Sequence, residues 1–212
     1  MIALLVVSLG IHEAAHGWVA LKCGDTTARD LGRITLNPLP HIDPFMTILL
    51  PAIGYMSGGF IFGGAKPVPV NYYNLRNPPR DMALVAIAGP ASNFLLAVFF
   101  ALCVKILVLD TGIWVRNALG ARVLGHVIVL NLTLAAFNLL PIPPLDGSRV
   151  MTWLLPSGGL RDSYVALERF GLLIVVAIVV AVPSVRDSVY DAVESMVRMI
   201  DSVIPFRSAF AS

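Results

Sequence analysis

Leu4-Leu5-Val6-Val7-Ser8-Leu9-Gly10-Ile11-His12-Glu13-Ala14-Ala15-His16 sets the reading of this chain. Imidazoles at i and i+4 share one face of an α-helix, as two ligands of one zinc ion must, and Glu13 puts a carboxylate beside them. Chance would place HExxH in roughly one chain of this length in a few hundred. Its setting is rarer. A soluble helix bearing the motif would be amphipathic, yet Leu4, Leu5, Val6, Val7, Leu9 and Ile11 give an apolar approach with no polar face before it. Ionisable groups inside a membrane span are costly and usually functional. The run from about Met1 to Leu21 therefore predicts a transmembrane helix that carries metal ligands within the bilayer.

Composition points the same way. Of 212 residues, 57% are hydrophobic and 13% charged, against about 25% charged in soluble domains. That predicts an α-helical polytopic membrane protein in a lipid bilayer. The net charge of +2 is too small and too dispersed for a nucleic-acid partner. Cys23 and Cys103 belong to no CxxC pattern and read as unpaired thiols. The N-terminus shows neither a basic n-region nor an A-x-A site, so the first helix is expected to be retained. No repeat or low-complexity tract is present, and no appended soluble domain is expected.

About four transmembrane helices are predicted, at about Met1–Leu21, Met82–Leu109, Leu119–Leu140 and Tyr164–Val182, since roughly twenty apolar residues cross the hydrocarbon core. Phe45–Phe62 contains Pro51, Gly54, Gly58 and Gly59, poor material for a lipid-facing helix. The positive-inside rule puts Lys22, Arg29 and Arg33 on the same side as Lys66, Arg76 and Arg80, so an even number of crossings separates them. A re-entrant segment satisfies this; two short crossings are the alternative. Ala28–Asn37 and Ala65–Val70 read as short β-strands, and either edge could capture an extended peptide. Beyond Pro183, Val185, Val189, Val193, Val197, Ile200 and Ile204 recur at helical spacing against charged residues. Residues 184–212 are therefore expected to form a C-terminal amphipathic interfacial helix after a domain spanning 1–183.

A catalytic zinc takes three protein ligands and keeps one position open. His12 and His16 supply two, and Asp146 is the leading candidate for the third. It follows Asn138-Leu139-Leu140-Pro141-Ile142-Pro143-Pro144-Leu145, where the prolines break the end of a span and force irregular backbone at membrane depth. The plainer role for Asp146 is to begin a turn or cap a helix before Gly147. His41 is the rival ligand, although loop histidines are more often at a surface or an interface. His126, alone on an apolar helix, reads as a hydrogen-bonded core residue. Glu13 cannot join its neighbours on the ion, because i+1 points elsewhere, but it can take a proton from an attacking water. Asn138 could donate to an oxyanion or hydrogen-bond between helices. Gly89-Pro90-Ala91-Ser92-Asn93 suits close helix packing, with Asn93 a supporting partner.

Taken together, these residues resemble the site-2 protease family of intramembrane zinc metalloproteases. The likeness rests on HEAAH, Gly89-Pro90-Ala91-Ser92-Asn93, and the segment from Asn138 through Pro141 to Asp146-Gly147. It extends through Leu31-Gly32-Arg33-Ile34-Thr35-Leu36-Asn37-Pro38-Leu39, His41-Ile42-Asp43-Pro44 and Ala65-Lys66-Pro67-Val68-Pro69-Val70, touching about three quarters of the chain. It is closest to the small bacterial or archaeal subgroup without PDZ or CBS domains. The chain departs from many relatives at Gly63-Gly64, where they carry Gly-Trp.

The resemblance implies Zn2+ held by His12, His16 and Asp146, with Glu13 as catalytic acid and base. It also implies a metalloprotease domain in a multi-pass protein of the cell membrane, open toward the cytoplasm. The implied substrates are single-span membrane proteins cut within or near the transmembrane segment. His16 lies about five residues, on the order of 8 Å, from the expected cytosolic end of its helix, shallow enough for a short polar channel. Two other readings fit fewer residues. A membrane metal transporter would use His12, His16 and Asp146 as a transit site, but it would show paired repeats and would leave Glu13 without a task. A catalytically inactive zinc-binding protein would need none of Glu13's chemistry. Substrate identity, oligomeric state and gating element are not written in the sequence.

Overall fold

The computed structural model describes residues 2–44, 47, 64–110 and 118–210. Its chain divides into two compact units, Met1–Gly89 and Pro90–Ser212. The expected re-entrant segment at 45–62 lies outside the described residues, apart from Thr47.

In the first unit, α1 (Ile2–Lys22) is the apolar helix that bears HExxH. Ala3–Lys22 is long and apolar enough to cross a membrane. The chain leaves α1 through Gly24, forms the single turn α2 (Thr27–Asp30), and turns again at Gly32, where φ is +64°. A one-turn 3-10 helix follows at Leu39–His41. Ala20 and Ala28 are fully buried where α2 packs against α1, and Val68 comes down over Gly17. After a second 3-10 turn at Tyr72–Asn74, α3 begins at Pro78. It runs Pro78–Val104, and the division between the units falls within it at Gly89. Its first turn is closed by Asp81, whose carboxylate accepts the Asn77 N–H at 2.8 Å.

No β-strand occurs among the described residues, which corrects the expectation of short strands. The physical reasons are local. Ala28 sits inside a helical turn, and the Arg33 N–H returns to the Ala28 carbonyl at 2.8 Å, so that stretch curls where a strand was expected. In Lys66-Pro67-Val68-Pro69-Val70 two of five residues have no N–H; the Lys66 donor goes to the His41 carbonyl and the Val68 donor to the Glu13 carboxylate.

The second unit opens with the later half of α3, continued by a π-helical stretch at Lys105–Asp110. Pro78–Leu107 is the second helix apolar and long enough to span a membrane. α4 covers Ala118–Asn138, α5 Asp146–Leu154, α6 Gly159–Ala166, α7 Gly171–Ala181 and α8 Pro183–Val203. Ala97, Ala101 and Val104 of α3 meet Ile128, Leu132 and Ala136 of α4 and Val193, Val197 and Ile200 of α8, with Phe206 closing the cluster. The amphipathic stripe read beyond Pro183 is thus buried against α3 and α4.

Among the described residues two helices, or three if a bent pair is one span, meet the length and composition for crossing a membrane, where four were expected. The expected third span contributes a 17-residue apolar helix, Arg122–Asn138. The fourth is interrupted. A 3-10 turn at Leu167–Phe170 separates α6 from α7, and Glu168 within it pairs with Arg149. α7 alone is 11 residues, or about 16 Å, short of the ~30 Å core. The pair Gly159–Val179 and Pro183–Val203 bends by 85° at Val182, just before a proline that cannot continue the hydrogen-bond ladder.

Candidate metal centre

His12 and His16 lie one turn apart on α1 in the first unit, with Glu13 between them. His12 and His16 are buried, 4% and 8% exposed, with their Nε2 atoms 3.0 Å apart and their rings edge to face. His16 Nδ1 lies 2.7 Å from the Val85 carbonyl. A carbonyl only accepts, so Nδ1 carries the proton and Nε2 keeps its lone pair. That is the tautomer a metal ligand needs.

The two imidazoles fit zinc on geometry as well as type. Zn–N bonds of about 2.0–2.1 Å at a tetrahedral angle would put the nitrogens about 3.3 Å apart, close to the 3.0 Å seen. A Cβ at Gly89 would stand 2.4 Å from His16 Nε2 and 2.5 Å from His12 Nε2. Any larger residue would fill the space in front of the two Nε2 atoms, which only glycine leaves open.

Glu13 points elsewhere, as i+1 on a helix must. Its Oε2 accepts the Val68 N–H at 2.7 Å, so its carboxylate faces the segment that crosses α1.

His41, the rival ligand, is also in the first unit and is 1% exposed, not the surface residue a loop histidine suggests. It lies against α1 at Gly10 and gives its Nε2–H to the Thr35 carbonyl at 3.2 Å. Its own carbonyl accepts the Lys66 N–H, and these bonds make it a structural tie between loops.

Beyond the end of α1, Asp25 is fully buried and takes four hydrogen bonds. They come from the Thr27 N–H and hydroxyl, the Asn71 N–H and the Asn74 amide. Burial is the largest influence on this carboxyl and opposes ionisation. The donors together outweigh it and hold the group below the usual carboxylate range.

In the second unit, Asp146 is the first residue of α5, in the turn where the helix dipole favours a carboxylate. Asp146 is not the cap that the plainer expectation offered: the capping position is Leu145. The preceding proline loop is braced from behind. The Tyr164 hydroxyl donates to the Pro141 carbonyl at 2.9 Å, and Gly171 approaches Pro144 so closely that a Cβ would be 2.7 Å from its Cδ. Asn138, last residue of α4, gives one amide N–H to the Leu134 carbonyl at 2.9 Å. Asn93 and Asn131 are fully buried and bonded to each other at 3.0 Å, tying α3 to α4. His126 is hydrogen-bonded, to the Arg122 carbonyl, but exposed, which corrects its placement in the core.

Three participants escaped sequence reasoning. Val85 acts through its carbonyl, which no side chain advertises. Val68 acts through its N–H, and only the flanking prolines hint that this donor is special. Asp25 simply follows Gly24, and no motif marks it.

The family model described as Peptidase family M50 matches residues 1–111 and 115–182. "Putative zinc metalloprotease YwhC" of Bacillus subtilis (strain 168) is 41% identical over 177 residues, covering 82% of this chain and 77% of that protein. "Putative zinc metalloprotease Rip2" of Mycolicibacterium smegmatis is 34% identical over 149 residues, 69% of this chain and 54% of Rip2. "Putative zinc metalloprotease MJ0611" of Methanocaldococcus jannaschii is 32% identical over 155 residues, 72% of this chain and 70% of MJ0611. The chain thus spans about half the length of Rip2. No solved structure matches.

Proposed function

Because the chain belongs to peptidase family M50 and is a zinc metalloprotease, we propose that it is an intramembrane endopeptidase. Its substrates are single-span membrane proteins, cut within or near the transmembrane segment. The observation that carries this reading is the burial of His12 and His16 in a helix long and apolar enough to cross a membrane. A soluble protease has no use for ligands in such a helix.

The zinc ligands are His12, His16 and Asp146. Support for the third comes from the count a catalytic zinc requires and from the Asn138-to-Asp146 spacing shared with the family. When bound, zinc supplies Lewis acidity that brings the pKa of a water to about 7. Glu13 accepts the proton of the attacking water and returns it to the leaving amine. Asn138 has a second amide N–H beyond the one given to Leu134, available to an oxyanion. Val85 holds His16 in its ligating tautomer. Residues 1–183 form the metalloprotease domain and 184–212 its amphipathic C-terminal segment. Lys22, Arg29, Arg33, Lys66, Arg76 and Arg80 favour a multi-pass protein of the cell membrane with the site near the cytoplasmic face.

The test compares purified wild type and Glu13→Gln in detergent on a panel of single-span substrates, with a chelator control. Wild type should cleave, while the variant and the chelated enzyme should not, and the variant should keep its zinc. Cleavage that survives both treatments overturns the reading.

A further inference from the structure

The segment Gly64–Asn71 crosses α1 beside the HExxH motif and is fastened on both sides of the crossing. Upstream, the Lys66 N–H donates to the His41 carbonyl at 2.8 Å, and Arg33 Nη2 donates to the Lys66 carbonyl at 2.8 Å. Downstream, the Asn71 N–H donates to Asp25 Oδ2 at 2.7 Å. Midway between the fasteners, the Val68 N–H reaches Glu13 Oε2, and the Val68 side chain is buried over Gly17.

The sequence leaves Glu13 one donor in this register. Pro67 and Pro69 have no N–H, and each biases the residue before it toward an extended conformation. A slip of one residue in either direction would bring a proline against Glu13 and end the hydrogen bond. The register is therefore chemically meaningful, and the fasteners set it. Asp25 is a firm downstream tie: it is fully buried, and its other oxygen is occupied by Thr27 and Asn74.

We propose that the Val68 N–H is a positioning donor that fixes the rotamer of Glu13, and that Asp25 sets the register in which this donor is presented. The inference rests on Glu13 being the proton acceptor of the reaction. A carboxylate on a helix samples several rotamers, and only one can serve a water held beside His12 and His16. The Val68 bond removes that freedom before substrate arrives. Val68 acts through Glu13, holding Oε2 and leaving Oε1 to face the water, and Asp25 acts through the segment that carries Val68.

The decisive experiment replaces the Val68 amide in the full chain with an ester, by incorporating the α-hydroxy analogue of valine, so that only the N–H is lost. kcat and KM are measured on a single-span substrate that wild type cleaves, with zinc content and the Co2+-substituted absorption spectrum. The expected result is a kcat lowered about tenfold or more, KM within about twofold, and unchanged zinc content and cobalt bands. Asp25→Asn keeps the side chain's shape but opposes an amide to the Asn71 N–H, and should lower kcat in the same way. An ester variant with wild-type kcat overturns the proposal, as does one that loses zinc or shifts the cobalt spectrum, since the effect would then lie in the ligands. Glu13→Gln run in parallel separates the two levels. If it cleaves like wild type, the underlying assignment of the base fails. If it is inactive while the ester variant is fully active, only the positioning role falls.

Discussion

His16 donates its Nδ1–H to the carbonyl of Val85 at 2.7 Å, so a main-chain group of α3 fixes the protonation pattern of an imidazole on α1. Gly89 is one helical turn further along α3 and stands against the same two imidazoles. One face of α3 thus supplies both the acceptor that orients His16 and the gap in front of the Nε2 atoms. The spacing of four residues is what lets a single helix do both.

Gly89→Ala should therefore abolish zinc binding while leaving most of the fold in place. Its Cβ would stand 2.4 Å from His16 Nε2, and neither imidazole can retreat without losing its place on α1. Zinc content should fall from about one per chain to below about a tenth, measured by metal analysis after gel filtration. A Gly89→Ala protein that retains full zinc would show that the ion sits elsewhere.

Asp25 gives the fold a defined acid limit. Its carboxyl is held below the usual range in the folded protein, so its contribution to stability is full above the ordinary carboxylate pKa. That contribution is lost as pH falls through the depressed folded value. The midpoint of thermal unfolding should be steady between about pH 7 and pH 5 and drop below about pH 4. Asp25→Asn should start lower and lose much of that slope. Parallel acid profiles for the two proteins would show that other carboxylates govern the limit.

What the sequence disclosed depended on whether a signal lay in side-chain spacing or in backbone position. His12, Glu13 and His16 were legible because helical periodicity alone places them. The stripe Val193, Val197 and Ile200 was legible for the same reason, although its partner proved to be the buried faces of α3 and α4. The fragment Lys66–Val70 looked like a strand because its residue types favour extension, but strand formation needs a partner with free donors, and composition does not report that. At Leu167–Phe170 the charges were visible in the sequence, but not the partner of Glu168, since Arg149 is 19 residues away. Val85 could not be found at all, since a carbonyl carries no residue identity.

The buried amide pair Asn93–Asn131 should behave as a unit. Asn93 Nδ2 donates to Asn131 Oδ1, and Asn131 Nδ2 donates to the Val127 carbonyl, all away from solvent. Asn131→Leu should destabilise by about 1–2 kcal/mol, because it leaves a desolvated amide short of an acceptor. Asn93→Leu should cost a similar amount. The double variant should lose less than the sum, since neither unsatisfied partner then remains. Strict additivity in denaturant titrations would mean that the two amides do not depend on each other.

Gly171 and Tyr164 test whether the proline loop before Asp146 needs its backing. A Cβ at Gly171 would lie 2.7 Å from Pro144 Cδ and 2.9 Å from its nitrogen, so Gly171→Ala must push the loop or move α7. Tyr164→Phe removes the hydroxyl that bonds the Pro141 carbonyl, which should cost about 1 kcal/mol of stability with little displacement. If Asp146 is a zinc ligand, Gly171→Ala should weaken zinc binding about 10–100-fold in chelator competition, the range typical of groups that hold a ligand in place. Tyr164→Phe should change it far less, because Pro144 still rests on Gly171. Asp146→Ala sets the scale for complete loss of that ligand. Zinc affinity that falls in Asp146→Ala but is untouched in Gly171→Ala would mean that the loop holds its carboxylate without help from α7.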